Sequence, residues 1–357
     1  MPISKLGHVG IYAQNLENRA AFEAWGHDMA AELVADAEVD NTVFEGISGV
    51  TSAIHICRGN APGGRWLANG GYERIASEVL PRLSNYDRLL LEYDTPRAGD
   101  FGPLQYVGQA GAEQDIHNLK SAVEGLDVEP WLPAITPGTI EHWLWHEYYT
   151  TDEEFLYAIA DVMHEEYRLI VESGIMLQLD DPDLLDAWQM YPDMSVADYR
   201  RYAELRVEAL NYGLRDLPTD RIRFHTCWGS SHGPHKNDIP LRHIVDLILK
   251  VKAECISIEA SNPRHEHDWT VWQGVRLPDG KSLMPGVVGH SSDLIEDPEL
   301  VAERLVRYAG LVGKENVIAG TDCGLGQRVS HPEIAWAKLQ ASAEGARLAS
   351  QALWGRR

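Results

Sequence analysis

From about residue 130 onward, short apolar runs alternate with long amphipathic ones, with no break in composition and no Ser/Gly linker between them. The short runs predict six strands: Trp131–Thr136, Ile175–Asp180, Arg221–Cys227, Cys255–Ser261, Met284–His290 and Asn316–Asp322. Each is too short to make a good independent helix, and several are rich in Ile or Val. The long runs carry their own end signals. Thr151-Asp152-Glu153-Glu154 reads as a capping box opening a helix that runs toward Glu172 and stops at Gly174. Ser195-Val196-Ala197-Asp198 opens another through about Asn211, Pro240 sits near the first turn of a third, and Asp297-Pro298 starts one that ends near Gly313. A final helix from about His331 to Ala352 closes the pattern.

Residues with useful chemistry fall at the C-terminal ends of five successive strands: Asp180, His225 with Cys227, Glu259, His290 and Cys323. In a parallel sheet closed as a barrel those ends converge on one face, where such enzymes build their sites. A doubly wound open sheet would concentrate its site at one switch point, and no G-x-G-x-x-G or P-loop sequence marks one. Residues 1–104 offer strands near Leu6–Tyr12, Ala53–Cys57 and Arg88–Tyr93 and a polar helical stretch around Ala20–Val34, enough to bring the strand count to eight. The expected architecture is therefore α/β, a (β/α)8 TIM barrel forming a single domain over residues 1–357.

Charge and cysteine content narrow the partners. With 31 Lys+Arg against 54 Asp+Glu the formal charge is −23, which repels phosphate backbones and anionic lipid surfaces, so nucleic acid and membrane are not expected partners. The N-terminal stretch has no sustained apolar region, and nothing approaches the roughly 18 apolar residues that a membrane helix needs, so a cytoplasmic protein is expected. Four Cys are too few and too scattered for a disulfide scaffold, which leaves them reduced and free to bind metal.

His225-Thr226-Cys227 and Cys323, with Glu259 on an intervening apolar strand, supply the donor types that zinc prefers, and thiolates select it over magnesium or calcium. A Zn2+ site with ligands His225, Cys227, Glu259 and Cys323 is the leading expectation. The competing reading is a buried polar histidine with two inert core thiols, and Glu259 paired to a cation such as Arg264. His232, His235, His265 and His267 lie in polar loops and read as solvated rim residues. An earlier segment echoes the site: His55, Cys57 and then Glu92, with a Cys-to-Glu separation of 35 residues against 32 for Cys227 and Glu259. No further Cys completes the first set.

At these residues the chain resembles the C-terminal catalytic barrel of cobalamin-independent methionine synthase and its shorter single-barrel relatives. The resemblance rests on His225-Thr226-Cys227, Ile258-Glu259-Ala260-Ser261 and Asp322-Cys323-Gly324, on Gln178-Leu179-Asp180, and on Gly286-Val287-Val288-Gly289-His290-Ser291. It covers residues 105–357; the family's first G-S-x-P-R-P-like and D-G-E-like strands have no counterpart, so residues 1–104 read as an atypical or rearranged front part of the barrel. The resemblance implies a zinc-dependent methyltransferase that moves a methyl group from a 5-methyltetrahydrofolate-type donor to homocysteine, giving methionine. It further implies that Asp180 holds the amino group of the thiol substrate and that His290 moves a proton in catalysis. By the residues alone, Asp180 is equally a helix cap and His290 a core histidine. Alkyl transfer to another small thiol such as coenzyme M, zinc hydrolysis with Glu259 as base, and a purely structural zinc are the alternatives. The sequence carries no signal for oligomeric state.

Overall fold

The computed structural model describes residues 102–355 apart from 147, 192, 231–234 and 327, together with the backbone of five short strands between residues 53 and 100. The chain divides into two compact units, Met1–Ala98 and Gly99–Arg357. In the first, Ala53–Ile56 and Arg88–Leu91 pair in parallel, Ala53 opposite Arg88. The expected strand at Leu6–Tyr12 and helix at Ala20–Val34 lie outside the described residues, as do the side chains of His55, Cys57 and Glu92.

The second unit is built on six parallel strands: β1 (Trp131–Ile135), β2 (Met176–Asp180), β3 (Ile222–Thr226), β4 (Cys255–Ile258), β5 (Ser282–Val288) and β6 (Gly320–Thr321). Their order across the sheet is β6-β5-β4-β3-β2-β1, each strand beside its predecessor in sequence. A singly wound order has no switch point. With right-handed crossovers throughout, the intervening helices all pack on the same face, which is the arrangement of a barrel wall rather than a doubly wound sheet.

Among the described residues, six longer helices accompany the sheet: α1 (Gln109–Val123), α2 (Pro137–Trp143), α3 (Asp152–Glu172), α4 (Val196–Gly213), α5 (Pro298–Val312) and α6 (Pro332–Trp354). Caps fix most of their ends as the sequence suggests. The Thr151 hydroxyl accepts from the Glu154 amide at 3.1 Å to start α3, and Gly174, at φ +86°, follows its end. Ser195 does the same for α4 through the Asp198 amide, and Asp297 with Pro298 opens α5, which stops at Gly313 with φ +95°. The sequence reading passes over α1, whose start has no side-chain cap and which buries only Ile116. It also expects a helix beyond Pro240, where the chain forms only a 3-10 turn at Leu241–His243 and four helical residues at Val245–Ile248.

Alternation along each strand separates core from site. On β2, Leu177 and Leu179 are fully buried, with Phe155, Tyr167, Tyr199 and Leu210 of α3 and α4 in the same core, while Gln178 and Asp180 occupy the opposite face. Register then aligns polar residues on that second face, because paired residues in neighbouring strands point the same way. Asp180 lies opposite His225, and His225 opposite Ser257, so one row crosses β2, β3 and β4 near their C-terminal ends. Apart from β2, which ends at Asp180 as expected, the strands end sooner than the sequence suggests. Cys227, Glu259, His290 and Cys323 each sit one or two residues past the last paired residue, where the chain leaves the ladder and the side chain is free to turn inward. The last strand shrinks most, from the expected Asn316–Asp322 to Gly320–Thr321, preceded by a 3-10 turn at Lys314–Asn316. Among the described residues no helix is long and apolar enough to cross a membrane.

β5 and β6 approach closely where their register shifts between Gly286 and Val288. A Cβ on Gly286 would overlap the Asp322 carboxylate and come within 2.6 Å of its backbone nitrogen. Gly286→Ala is therefore expected to cost about 3 kcal/mol or more, read as a lowered urea midpoint, because backbone rather than a flexible side chain must move.

Candidate metal centre

The row of residues at the strand ends gathers a set of soft donors. The ligand atoms of His225, Cys227 and Cys323 all lie within 4.8 Å of one another, with both the histidine and Cys227 buried. His225 comes from β3, Cys227 from the residue after it, and Cys323 from the turn after β6. The Nδ1 atom of His225 lies 3.2 Å from the Ser257 hydroxyl, which leaves Nε2 as the ring atom available to a metal. Ser257 is a neighbour of His225 across the β3–β4 ladder, so the sheet register itself orients the imidazole.

Glu259 approaches from the end of β4 and is 3% exposed. One carboxylate oxygen accepts from Asn262 Nδ2 at 2.7 Å, and the other, Oε1, is buried without a hydrogen-bond partner. Burial first, then the charges of Asp322 and Cys323, push its carboxyl up to about 9. Arg264, the expected alternative partner, instead faces Asp238 at 3.9 Å, so Glu259 has no cation from that side chain. Glu259 is not one of the three residues whose ligand atoms lie within 4.8 Å of one another, but its unsatisfied buried carboxylate is near enough to Cys227 and Cys323 to interact with both.

The two thiols are near enough to titrate together. Cys227 donates toward Cys323, and this bond together with His225 and His290 holds Cys323 below the usual thiol range. The same bond, with burial and the nearby Glu259, pushes Cys227 well above it. A divalent cation would replace that proton.

Asp322 joins the two halves of the site. It is fully buried; its Oδ1 accepts from the amides of Ala260 and Ser261 at 2.7 and 2.9 Å, tying the turn that carries Cys323 to the segment that carries Glu259. Burial outweighs these bonds and raises its carboxyl to about 6. Asp180 sits across the row from His225, bridged to Gln178 Nε2 at 2.8 Å, with its carboxyl raised by burial and by Cys323 and lowered by His225. Of the neighbouring acids it is Asp181, not Asp180, that caps the short turn after β2, accepting from the Leu184 amide. His290 is 3% exposed and lies close enough to Cys323 to favour its thiolate.

The supporting roles of three positions went unread in the sequence: Ser257, Asn262 and Asp322, the last appearing there only as part of a motif. Only Asp322 carried a signal, an acid ending an apolar strand directly before a candidate ligand. The rim reading needs a correction as well. His267 is exposed, but His265 is buried between Asp238 and Asp268, and the polar composition of its loop concealed two carboxylates that satisfy both ring nitrogens. His232 lies outside the described residues.

Residues 128–347 match the family described as Cobalamin-independent synthase, Catalytic domain. The chain is similar to a methionine synthase of Thermococcus kodakarensis, 25% identical over 285 residues that make up 74% of this chain and 75% of that protein. It is also similar to a 5-methyltetrahydropteroyltriglutamate–homocysteine methyltransferase of Thermotoga petrophila, 25% identical over 54% of this chain but only 24% of that longer protein. Among solved structures, a B12-independent methionine synthase from Shewanella sp. W3-18-1 in complex with selenomethionine superposes with a TM-score of 0.54 at 18% identity, covering 72% of this chain and 71% of that one. That likeness concerns the fold.

The buried carboxyl makes a prediction with two opposite signs. In metal-free protein the folded pKa of Glu259 lies above its unfolded value of 4.5, so its contribution is favourable below that value and is lost as pH rises toward about 9. Glu259→Gln should raise the melting temperature of chelator-treated protein at pH 8 and flatten its decline between pH 5 and 9, while weakening zinc in a chelator competition.

Proposed function

Because the chain belongs to the cobalamin-independent synthase family through its catalytic domain, we propose that it is a zinc-dependent methyltransferase acting on a small thiol. Homocysteine is the acceptor and a 5-methyltetrahydrofolate-type compound the donor in this reading. The observation that carries it is the convergence of His225, Cys227 and Cys323, the first two buried, near the unsatisfied buried oxygen of Glu259. Residues 1–104 are taken in the same proposal as the atypical front part of a single (β/α)8 barrel.

Zinc held by His225, Cys227, Cys323 and Glu259 would lower the pKa of an incoming thiol from about 8.5 and so supply a thiolate at neutral pH. Two cysteine ligands suit this task, since they reduce the effective charge of the metal and leave the sulfur nucleophilic. Glu259 suits the exchangeable position: its carboxyl is stable when protonated in this surrounding, so it can yield to substrate sulfur without leaving a buried charge. Asp180, on the same face as His225, holds the acceptor's ammonium group and aims its sulfur. The sulfur attacks the methyl carbon in line with the bond to the donor nitrogen, that bond breaks, and the nitrogen takes up a proton. His290, buried beside Cys323, is the side chain assigned to deliver it.

Zinc-edge absorption of the loaded protein with and without homocysteine tests the reading. One additional sulfur neighbour and one fewer oxygen is the expected change, and an unaltered shell would sink thiol activation in favour of a structural zinc. In steady-state assays, Asp180→Asn should raise the KM for the thiol more than it lowers kcat. Cys323→Ser should reduce kcat/KM by roughly 100-fold or more with loss of bound zinc.

A further inference from the structure

The loops that carry Cys227 and Glu259 meet at a feature that the proposed reaction does not use. The ring of His265 stacks on Trp228 with centroids 3.5 Å apart and planes 12° from parallel. Its Nδ1 lies 3.0 Å from Asp268 and its Nε2 lies 2.9 Å from Asp238. All four side chains are buried. Two carboxylates cannot both be satisfied by a neutral imidazole, which has one N–H, so the geometry calls for protons on both nitrogens. The other charged or titratable groups facing this ring are Arg264 and His235, both directed at Asp238, and His267, 3.5 Å from Asp268. Burial opposes the imidazolium, and the two carboxylates outweigh it.

The stacked ring of His265 and its backbone amide lead to two different proposed metal ligands. Trp228 follows Cys227 directly and is itself pinned by its indole N–H donating to the Ile239 carbonyl at 2.8 Å. On the other side, the His265 amide donates to Asn262 Oδ1 at 3.1 Å, and the amide group of the same Asn262 donates to Glu259. We propose that His265, held as an imidazolium between Asp238 and Asp268 and stacked on Trp228, is a positioning residue that sets the separation of the Cys227 and Glu259 ligands. This rests on the reading of these residues as a metal site. Aromatic stacking of a cation with two charge-assisted hydrogen bonds is stiff in every direction: the stack fixes the ring along its normal and the carboxylates fix it in its plane.

The test uses the full chain, stripped of metal by chelator and titrated with zinc. Leu210→Ala, a buried change on α4 away from the strand ends, serves as a control for general destabilisation. His265→Gln should weaken zinc by roughly 10- to 100-fold in chelator competition, as loss of an outer-shell partner does. Asp268→Asn, which keeps a hydrogen-bonding group and guards against a misfolded glutamine variant, should weaken it less. Leu210→Ala should lower the melting temperature with no change in zinc affinity. In histidine-labelled protein, nitrogen-edited NMR should show two downfield ring N–H protons that vanish in His265→Gln. A single ring proton, or a zinc affinity in His265→Gln and Asp268→Asn no weaker than in Leu210→Ala, overturns the proposal. Failure of the unmodified chain to take up zinc overturns the metal reading and this proposal together.

Discussion

The second unit is organised around a crowding of acidic groups removed from water. Cys227, Cys323, Glu259 and Asp322 meet at the ends of three strands, and burial raises Glu259 and Asp322 while the two thiols titrate together. Ionising such a cluster is unfavourable, since each charged form loses water and gains a like-charged neighbour, so burial holds Glu259 and Cys227 toward their protonated forms. The remainder of the unit can be understood as what holds it together regardless. The β2–β4 register brings Asp180, His225 and Ser257 into line; Gly286 lets β6 come close enough for Asp322 to reach across; and Asp322 then receives two backbone amides that belong to the Glu259 segment. On the proposed reading a cation with tetrahedral preferences would relieve the cost of ionisation, with Cys227, Cys323 and Glu259 as its ligands and Asp322 as the strut behind them.

Most of the frame was legible in the sequence, for a physical reason. Parallel strands buried on both faces write themselves as short apolar runs, and helix ends write themselves as caps, so β1 to β5 and the starts of α3, α4 and α5 could be placed to within a few residues. The last strand was overextended because residues 317–319 are as apolar as a strand, yet contribute only a single bridge from Val317 to Leu283 after the 3-10 turn. Helix α1 was missed because it buries only Ile116 and so shows little periodicity.

The site divides along the same line. Donor types and strand-end positions expose His225, Cys227, Glu259 and Cys323 to a reader of the sequence, since metal chemistry restricts residue identity. Their supports are less visible. Ser257, Asn262 and Asp322 act through a single hydrogen-bonding geometry that many residue patterns could provide, and His265 looked solvated because hydrophilic neighbours are its partners rather than its exposure. A polar stretch does not reveal which of its members face each other.

The gathered donors are spread widely along the chain. His225 and Cys227 close β3, Glu259 closes β4, and Cys323 follows β6, the last strand of the sheet. Because every strand is laid beside its predecessor, the final thiol joins the others only once the last strand of the sheet is in place. A partly made chain thus presents one sulfur, one imidazole and one carboxylate, a weak and open combination, whereas the finished sheet closes the set. If the proposed metal is held there, its tight retention would be a certificate of completed assembly, issued by the last strand and withheld from fragments that lack it.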